Sequence, residues 1–390
     1  MPAHNQRPEN RQSIAFYAPL KSPLHPVPSG DRKIAQLFFS ALQYSGFEVV
    51  LASQLRCLDK NGDQHRQHRL ISLATREAAR ILRRWRKANF KPSAWFSYHL
   101  YYKAPDLIGP IICRELKIPY LIAEASWAEK RAAGDWSLFH SKVDQALQLA
   151  DKVICINPVD QIALTQYYQS RARSPIVQLK AFIDDFHLPE PAISRAAIAK
   201  QYSLDPRKPW LISIAMMRKG DKFKSYQQLS AVIHKLSTPH QLLIIGAGEM
   251  QRQVQQLFAH NRQVQFTGAL HNQKIRELLS HFEILVWPAI NEALGMIFLE
   301  AQQAAVAVVA GDEGGVSSLL ENHQTGILTA ATDSRAMADA IDLLLADPRA
   351  LQSMQQNAKA RISAQHSLAA AANQLTAVIT AAQREYHCQC

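Results

Sequence analysis

Two glutamates eight residues apart, Glu292 and Glu300, lie in the stretch of this chain best equipped for chemistry: WPAINEALGMIFLEAQQAAVAVVAGDEGGV, from Trp287 to Val316. Glu283 to Trp287 (EILVW) reads as a buried strand, Pro288 stops it, and from about Gly295 the residues MIFLEAQQA have the length and composition of a helix. Unpaired backbone N–H groups at such a helix start, with the helix dipole, favour an anion such as a phosphate. Glu292 falls in the turn ahead of the helix and Glu300 within it. A carboxylate in the turn suits sugar hydroxyls or a developing cation better than phosphate. The spacing alone is better explained by two glutamates on a solvated helix face. The strand, turn, helix and strand around them favour chemistry.

This arrangement resembles the Glu-x7-Glu pair of glycosyltransferase family 4, retaining transferases with the GT-B fold. The residues that carry the resemblance are Glu292, Ala293, Leu294, Gly295, Glu300, Ala301, the strand Val306 to Ala310, and Gly314 with Gly315. Ala293 stands where the family has a glycine, and Ala305 and Ala307 where a glycine and a proline are usual. The N–H groups of Ala293 and Ala305 can still meet a phosphate where φ is negative. The resemblance implies that Glu292 contacts the donor sugar and Glu300 the ribose of its nucleotide.

Upstream, the strand Trp210 to Ala215 leads into Met216-Met217-Arg218-Lys219-Gly220-Asp221-Lys222. This is similar to the family segment that grips the donor diphosphate, which implies that role for Arg218 and for Lys222 rather than Lys224. A bidentate arginine and a point-charge lysine suit a diphosphate that gains negative charge as it leaves. A solvated basic loop is the plainer reading of the same residues. Gly246-Ala247-Gly248 after the strand Gln241 to Ile245 matches a Gly-x-Gly turn of the family without naming a ligand.

The elements that must position these residues run the length of the chain. Ser13 to Ala18 is a strand, Pro19 to Pro28 a loop, and a helix opens at Ser29-Gly30-Asp31 and ends near Gly46, ahead of the strand Phe47 to Ala52. That is a βαβ unit and hence a parallel sheet. Gly30 is what remains here of the glycine-rich loop that faces nucleotide and acceptor in the family. Ala94 to Tyr98 is the next strand, with His99 at its carboxyl end, where open α/β sheets place ligands. Pro105 is expected to start a helix. After the strand Pro119 to Ala123, many family members carry a histidine that touches the donor sugar; this chain has none there, which leaves Glu124, Ser126 or His99 to substitute.

Asp59 to Asp63 fails as a calcium loop, because its glycine comes early and Leu70 stands where the closing glutamate belongs. Arg69 to Asn89 forms a basic amphipathic helix with the stripe Leu70, Ala74, Ala78, Ile81, Leu82, Trp85, which suits packing into a core. Its arginines are either solvated or set against an anionic leaflet.

A length of 390 residues exceeds what one core fills, so two domains are expected. The spans are 1–185, a linker at 186–194 marked by IDDFHLPEPAI, 195–365, and a last helix in 366–390 that crosses back to the first domain. The formal charge of +12 asks for an acidic partner: a nucleotide sugar, an anionic membrane surface or, without any RNA- or DNA-binding signature, least of all nucleic acid. No membrane-spanning run or signal peptide is read, and five scattered cysteines suit a reducing cytoplasm.

The expectation is therefore an α/β chain of GT-B type, two Rossmann-like domains with parallel sheets facing a central cleft. It would move a hexose from a UDP- or GDP-linked donor to a hydroxyl of a glycan or lipid-linked acceptor, with retention and without metal or cofactor. Expected site residues are Glu292 and His99 at the reacting centre and Arg218, Lys222, Gly295, Glu300 and Gly30 around the donor. The location would be cytoplasmic, at the inner membrane face. A GT-B sugar-nucleotide epimerase and a silent nucleotide-binding scaffold on a membrane are the rivals.

Overall fold

The computed structural model describes residues 12–27, 29–171, 174–185 and 193–389. The chain forms two compact units, Met1–Lys180 with Leu368–Cys390, and Ala181–Ser367. Positions 186–192 of the expected linker lie outside the described residues.

In the first unit the strands β1 (Ser13–Tyr17), β2 (Glu48–Leu51), β3 (Ala94–Leu100), β4 (Tyr120–Ala125), β5 (Lys152–Cys155) and β6 (Ile176–Gln178) form one parallel sheet, ordered β2-β1-β3-β4-β5-β6. Parallel neighbours need crossovers, which are α1 (Gly30–Tyr44), α2 (Gln64–Lys87), α3 (Gly109–Leu116), α4 (Ser137–Leu149) and α5 (Pro158–Tyr168). Helices on the faces bury both sides of a strand, which is why β1, β3 and β4 read as nearly unbroken apolar runs. On α2 the buried residues are the expected stripe plus Gln67, so its apolar face belongs to the core and its arginines to the surface.

The helix expected from Pro105 starts four residues later. Asp106 is buried, and its Oδ1 accepts the N–H groups of Ile108 (2.9 Å) and Gly109 (2.7 Å). Its Oδ2 takes Trp95 Nε1 (3.2 Å), Tyr120 Oη (3.0 Å) and the Ser97 hydroxyl. That carboxylate pins the loop to the sheet, and α3 begins only beyond it.

The second unit contains β7 (Trp210–Ile214), β8 (Gln241–Ile245), β9 (Val264–Gly268), β10 (Ile284–Trp287), β11 (Ala307–Gly311) and β12 (Ile327–Thr329), ordered β12-β11-β10-β7-β8-β9. Its helices are α6 (Arg195–Tyr202), α7 (Asp221–Lys235), α8 (Gln251–Leu257), α9 (Asn272–Leu279), α10 (Ile297–Gln303), α11 (Ser334–Ala346) and α12 (Pro348–Arg361). Read from β7, this is the Rossmann order 3-2-1-4-5-6, whose direction reverses between β7 and β10. The last helix, α13 (Leu368–Gln389), packs in the first unit: Ser45 Oγ donates to the Ala372 carbonyl (2.9 Å) and Lys152 pairs with Glu385 (2.7 Å).

Candidate active site

In the second unit, the loops that leave β7 and β10 flank the point where the strand order reverses, the place where open α/β sheets bind ligands. Arg218 and Lys222 come from the first loop and the start of α7, Glu292 and Gly295 from the second. The Lys222 ammonium forms an ion pair with Glu292 Oε2 and stands 5.5 Å over the Trp287 ring. Trp287 Nε1 reaches the same carboxylate oxygen at 3.4 Å. Glu292 is 16% exposed and Lys222 30%, so the pair is sheltered yet reachable. Arg218 is exposed, and among the described residues its guanidinium has no hydrogen-bonding partner.

Backbone packing fixes this loop. A side chain on Gly314 (φ 62°) would run into the Glu292 carbonyl, and Gly315 N–H donates to the Ala293 carbonyl at 3.0 Å. The Gly314-Gly315 turn therefore lies directly against the Glu292 turn. Ala289 and Asn291 adopt φ of 56° and 50°, a conformation that costs a non-glycine residue energy and gathers at functional loops. The Asn291 amide donates to Asp221 Oδ2 (2.9 Å) and Ile290 N–H to Ser225 Oγ (3.0 Å), which ties the loop to α7. The Asn291 hydrogen bond, then Lys224, holds the Asp221 carboxyl below its usual range. Gly295 has φ 76°, and a Cβ there would press on the Phe298 ring at 2.6 Å.

Glu300 belongs to a different set. Its carboxylate lies 3.8 Å from Arg276 of α9, which also bonds Asp184 at 2.7 Å. Two details differ from the sequence expectation. The helix after Glu292 starts at Ile297, not Gly295, and has only seven residues. Ala305 has φ 57°, and its N–H is taken by the Gln302 carbonyl (3.0 Å) while Val306 N–H reaches Ala301 (2.9 Å). This is a Schellman cap with alanine where glycine is favoured, so the Ala305 N–H is not available to a phosphate.

In the first unit the order reverses between β1 and β3. His99, at the end of β3 with φ 57°, meets Asp31 of α1 through Nδ1 and Oδ1 at 3.0 Å. That hydrogen bond is the main reason the Asp31 carboxyl is held below its usual range. Glu124 (φ 59°) is turned inward, its Oε1 accepting Ile156 N–H (2.5 Å) and Asn157 N–H (3.3 Å), and burial pushes its carboxyl up. Burial likewise raises Asp160, whose carboxylate bonds Ser126. Gly30 opens α1 with nothing within 4 Å of where a Cβ would stand, so neither packing nor φ demands a glycine there.

The structure thus brings Lys222 and Glu292 into contact, with Arg218 on the same loop system, and gives Glu300 a separate anchor. His99 and Gly30 lie in the other unit, near Asp31. Sequence reasoning missed Asp31, Arg276 and Asp184. Asp31 could have been found beside Gly30, but Arg276 and Asp184 stand 92 residues apart, and nothing local links them.

The strand order places the carboxyl-terminal unit among the Rossmann-like α/β folds, with a cationic and carboxylate pair at its reversal point. Residues 194–361 match the family model of the glycosyl transferases group 1, and the carboxyl-terminal unit belongs to that family. The alpha-D-kanosaminyltransferase of Streptomyces kanamyceticus is 29% identical over 198 residues, 50% of this chain and 51% of that protein, so the match spans about half the relative's length. Sucrose-phosphate synthase from Thermosynechococcus elongatus superposes with a TM-score of 0.66 at 18% identity, over 94% of this chain and 98% of that one. The Anabaena protein HepE in complex with UDP gives 0.68 at 14%, over 95% and 100%. At such identities the likeness is one of fold, and that fold is GT-B.

Proposed function

We propose that the chain transfers a hexose from a nucleotide sugar to an acceptor hydroxyl with retention of configuration. The observation that carries this reading is the Lys222–Glu292 pair over Trp287 at the β7/β10 reversal, with Arg218 exposed on the loop after β7 and without a hydrogen-bonding partner among the described residues. In the donor complex Lys222 and Arg218 take the diphosphate. Lys222 then leaves Glu292, whose carboxylate is free to accept hydrogen bonds from the sugar, while Trp287 Nε1 keeps it in place. Glu300, held by Arg276, accepts the ribose hydroxyls. As the bond from the anomeric carbon to the phosphate oxygen breaks, the diphosphate gains negative charge that Arg218 and Lys222 stabilise. The acceptor oxygen bonds the same face of that carbon, and its proton passes to the departing phosphate. UDP-linked donors head the list, since the structural relative HepE binds UDP.

The acceptor side is assigned to the amino-terminal unit, where His99 and Asp31 line the β1/β3 reversal. The exposed face of α2, with Arg69, Arg76, Arg83, Arg84 and Lys87, would meet an anionic membrane at about 1 kcal/mol per basic residue. The deciding experiment is calorimetric titration of nucleoside diphosphates into wild type, Arg218→Ala and Glu300→Ala, followed by NMR of the product's anomeric proton. Binding of one nucleotide, lost in both variants, with a retained anomer is the expected result. Binding to none at millimolar concentration, or an epimerised sugar without transfer, overturns the reading.

A further inference from the structure

Beside the His99–Asp31 pair, the loops after β1, β2 and β3 are knitted together. Cys57 N–H donates to the Pro19 carbonyl and Asp59 N–H to the Lys103 carbonyl, both at 2.9 Å, over a small apolar cluster of Leu20, Leu58, Ala104 and Tyr101. Gly62 (φ 78°) presses the β2 loop onto the turn at 134–136, since a Cβ there would come within 2.7 Å of Asp135 and 3.4 Å of the Trp136 ring. The loop is therefore fixed on three sides.

It encloses an open cavity of about 320 Å³ whose lining includes Arg56, Lys60 and Arg66 with Asp59 and Asp63. The two acids are already engaged. Asp59 is buried and accepts Asn61 N–H (3.0 Å) and Gln67 Nε2 (3.0 Å), and Asp63 caps α2 by accepting Arg66 N–H (3.2 Å). The two guanidiniums are anchored by one edge to backbone carbonyls: Arg56 Nε to Leu20 (2.9 Å), and Arg66 Nε and Nη2 to Leu58 (3.3 and 3.2 Å). Among the described residues, Lys60 and the Nη atoms of Arg56 have no hydrogen-bonding partner. Solvated surface cations are ordinarily mobile, whereas an arginine fixed by its inner edge presents a preorganised fork suited to a tetrahedral oxyanion. Next to the cavity, Tyr102 and Trp136 meet at 5.2 Å, with Lys103 at 5.7 and 5.6 Å from the two rings and Arg131 at 5.1 Å from Tyr102. Tyr101 continues that aromatic row to His99.

We propose that this cavity binds a phosphate group, through Arg56, Lys60 and Arg66, and that the acceptor is accordingly a phosphorylated molecule whose neighbouring part lies along Tyr101, Tyr102 and Trp136. The acceptor assignment rests on the glycosyl-transfer reading; the phosphate site does not. The test is calorimetry on the full chain with decyl phosphate, glucose 1-phosphate, inorganic phosphate and the uncharged decyl glucoside. Wild type, an Arg56→Gln/Lys60→Gln double variant and an Arg218→Ala variant are compared, the last to separate this site from the donor site. The expected result is that a phosphorylated probe binds wild type and Arg218→Ala alike, at least tenfold weaker to the double variant, while nucleoside diphosphate affinity in the double variant stays within twofold. Preference for decyl phosphate names a lipid-borne phosphate, and preference for glucose 1-phosphate a free sugar phosphate. Binding that survives in the double variant, decyl glucoside binding as tightly as decyl phosphate, or no phosphorylated probe binding at millimolar concentration overturns the proposal. If the double variant has lost its fold by circular dichroism, single Lys60→Gln, at an exposed side chain without partners among the described residues, must still weaken the probe at least threefold. If the glycosyl-transfer reading fails instead, nucleoside diphosphates do not bind while the phosphate probes still do.

Discussion

The two sheets reverse their strand order in the same way but load the reversal point differently. At β7/β10 an ammonium neutralises a carboxylate, an arginine is left exposed, and a glycine turn is jammed against the backbone that carries the glutamate. At β1/β3 a histidine meets an aspartate, flanked by two half-buried carboxyls that desolvation has raised, and the glycine at the helix start is unconstrained. The first arrangement suits an anion of fixed shape and the second suits hydroxyl groups. Two parallel sheets can therefore present different chemistry at their reversal points through the loops at the strand ends.

If that contrast is right, glycine replacements separate the two edges most sharply. Gly314→Ala must move the Glu292 backbone and is expected to cost about 3 kcal/mol, from the positive φ and overpacking together, and to weaken nucleotide binding. Gly30→Ala should stay within about 0.5 kcal/mol. Denaturant titration of the pair would break the comparison if the two costs were alike.

A step down, Arg276→Ala removes the cation 3.8 Å from Glu300 and should weaken nucleoside diphosphate binding about tenfold, the order of one hydrogen bond to a charged group. Arg276→Lys should recover part of it. A loss of stability with unchanged nucleotide affinity would make Arg276 merely structural. Ala305→Gly relieves a left-handed alanine at a helix cap and is expected to stabilise the protein by about 1 kcal/mol, read as a rise in Tm without change in nucleotide affinity.

The smallest effect is at the amino-terminal edge. Asp31 titrates below its ordinary value because of His99, so its contribution is present above the unfolded aspartate range and is lost as pH falls through the depressed value. His99→Gln should move the Asp31 titration upward in a carboxyl-detected NMR experiment. The stability gap between wild type and variant should narrow as the solution is acidified. An unmoved Asp31 would remove the pair from the description of that edge.

Much of this was legible in the residues. Periodicity and punctuation located β1 to β4, β7, β8, β10 and β11, because both faces of a parallel sheet are buried and its strands become short apolar runs between turns. The α2 stripe appeared at helical spacing, and Glu292, Arg218 and Lys222, which stand near the ends of such runs, were singled out by the resemblance to the family motifs. The misses share one cause. The late start of α3 depends on Asp106 gathering donors from two strands as well as its own loop. The Ala305 cap depends on a φ that alanine rarely adopts. By itself the sequence determined which segments are buried and which side chains stand at strand ends, since those are properties of local composition and period. Only the tertiary structure decided which partners each charge meets. Lys222 with Glu292, Arg276 with Asp184 and Arg56 with the Leu20 carbonyl are contacts between residues 36 to 92 positions apart, set by strand order and loop packing, on which local pattern is silent.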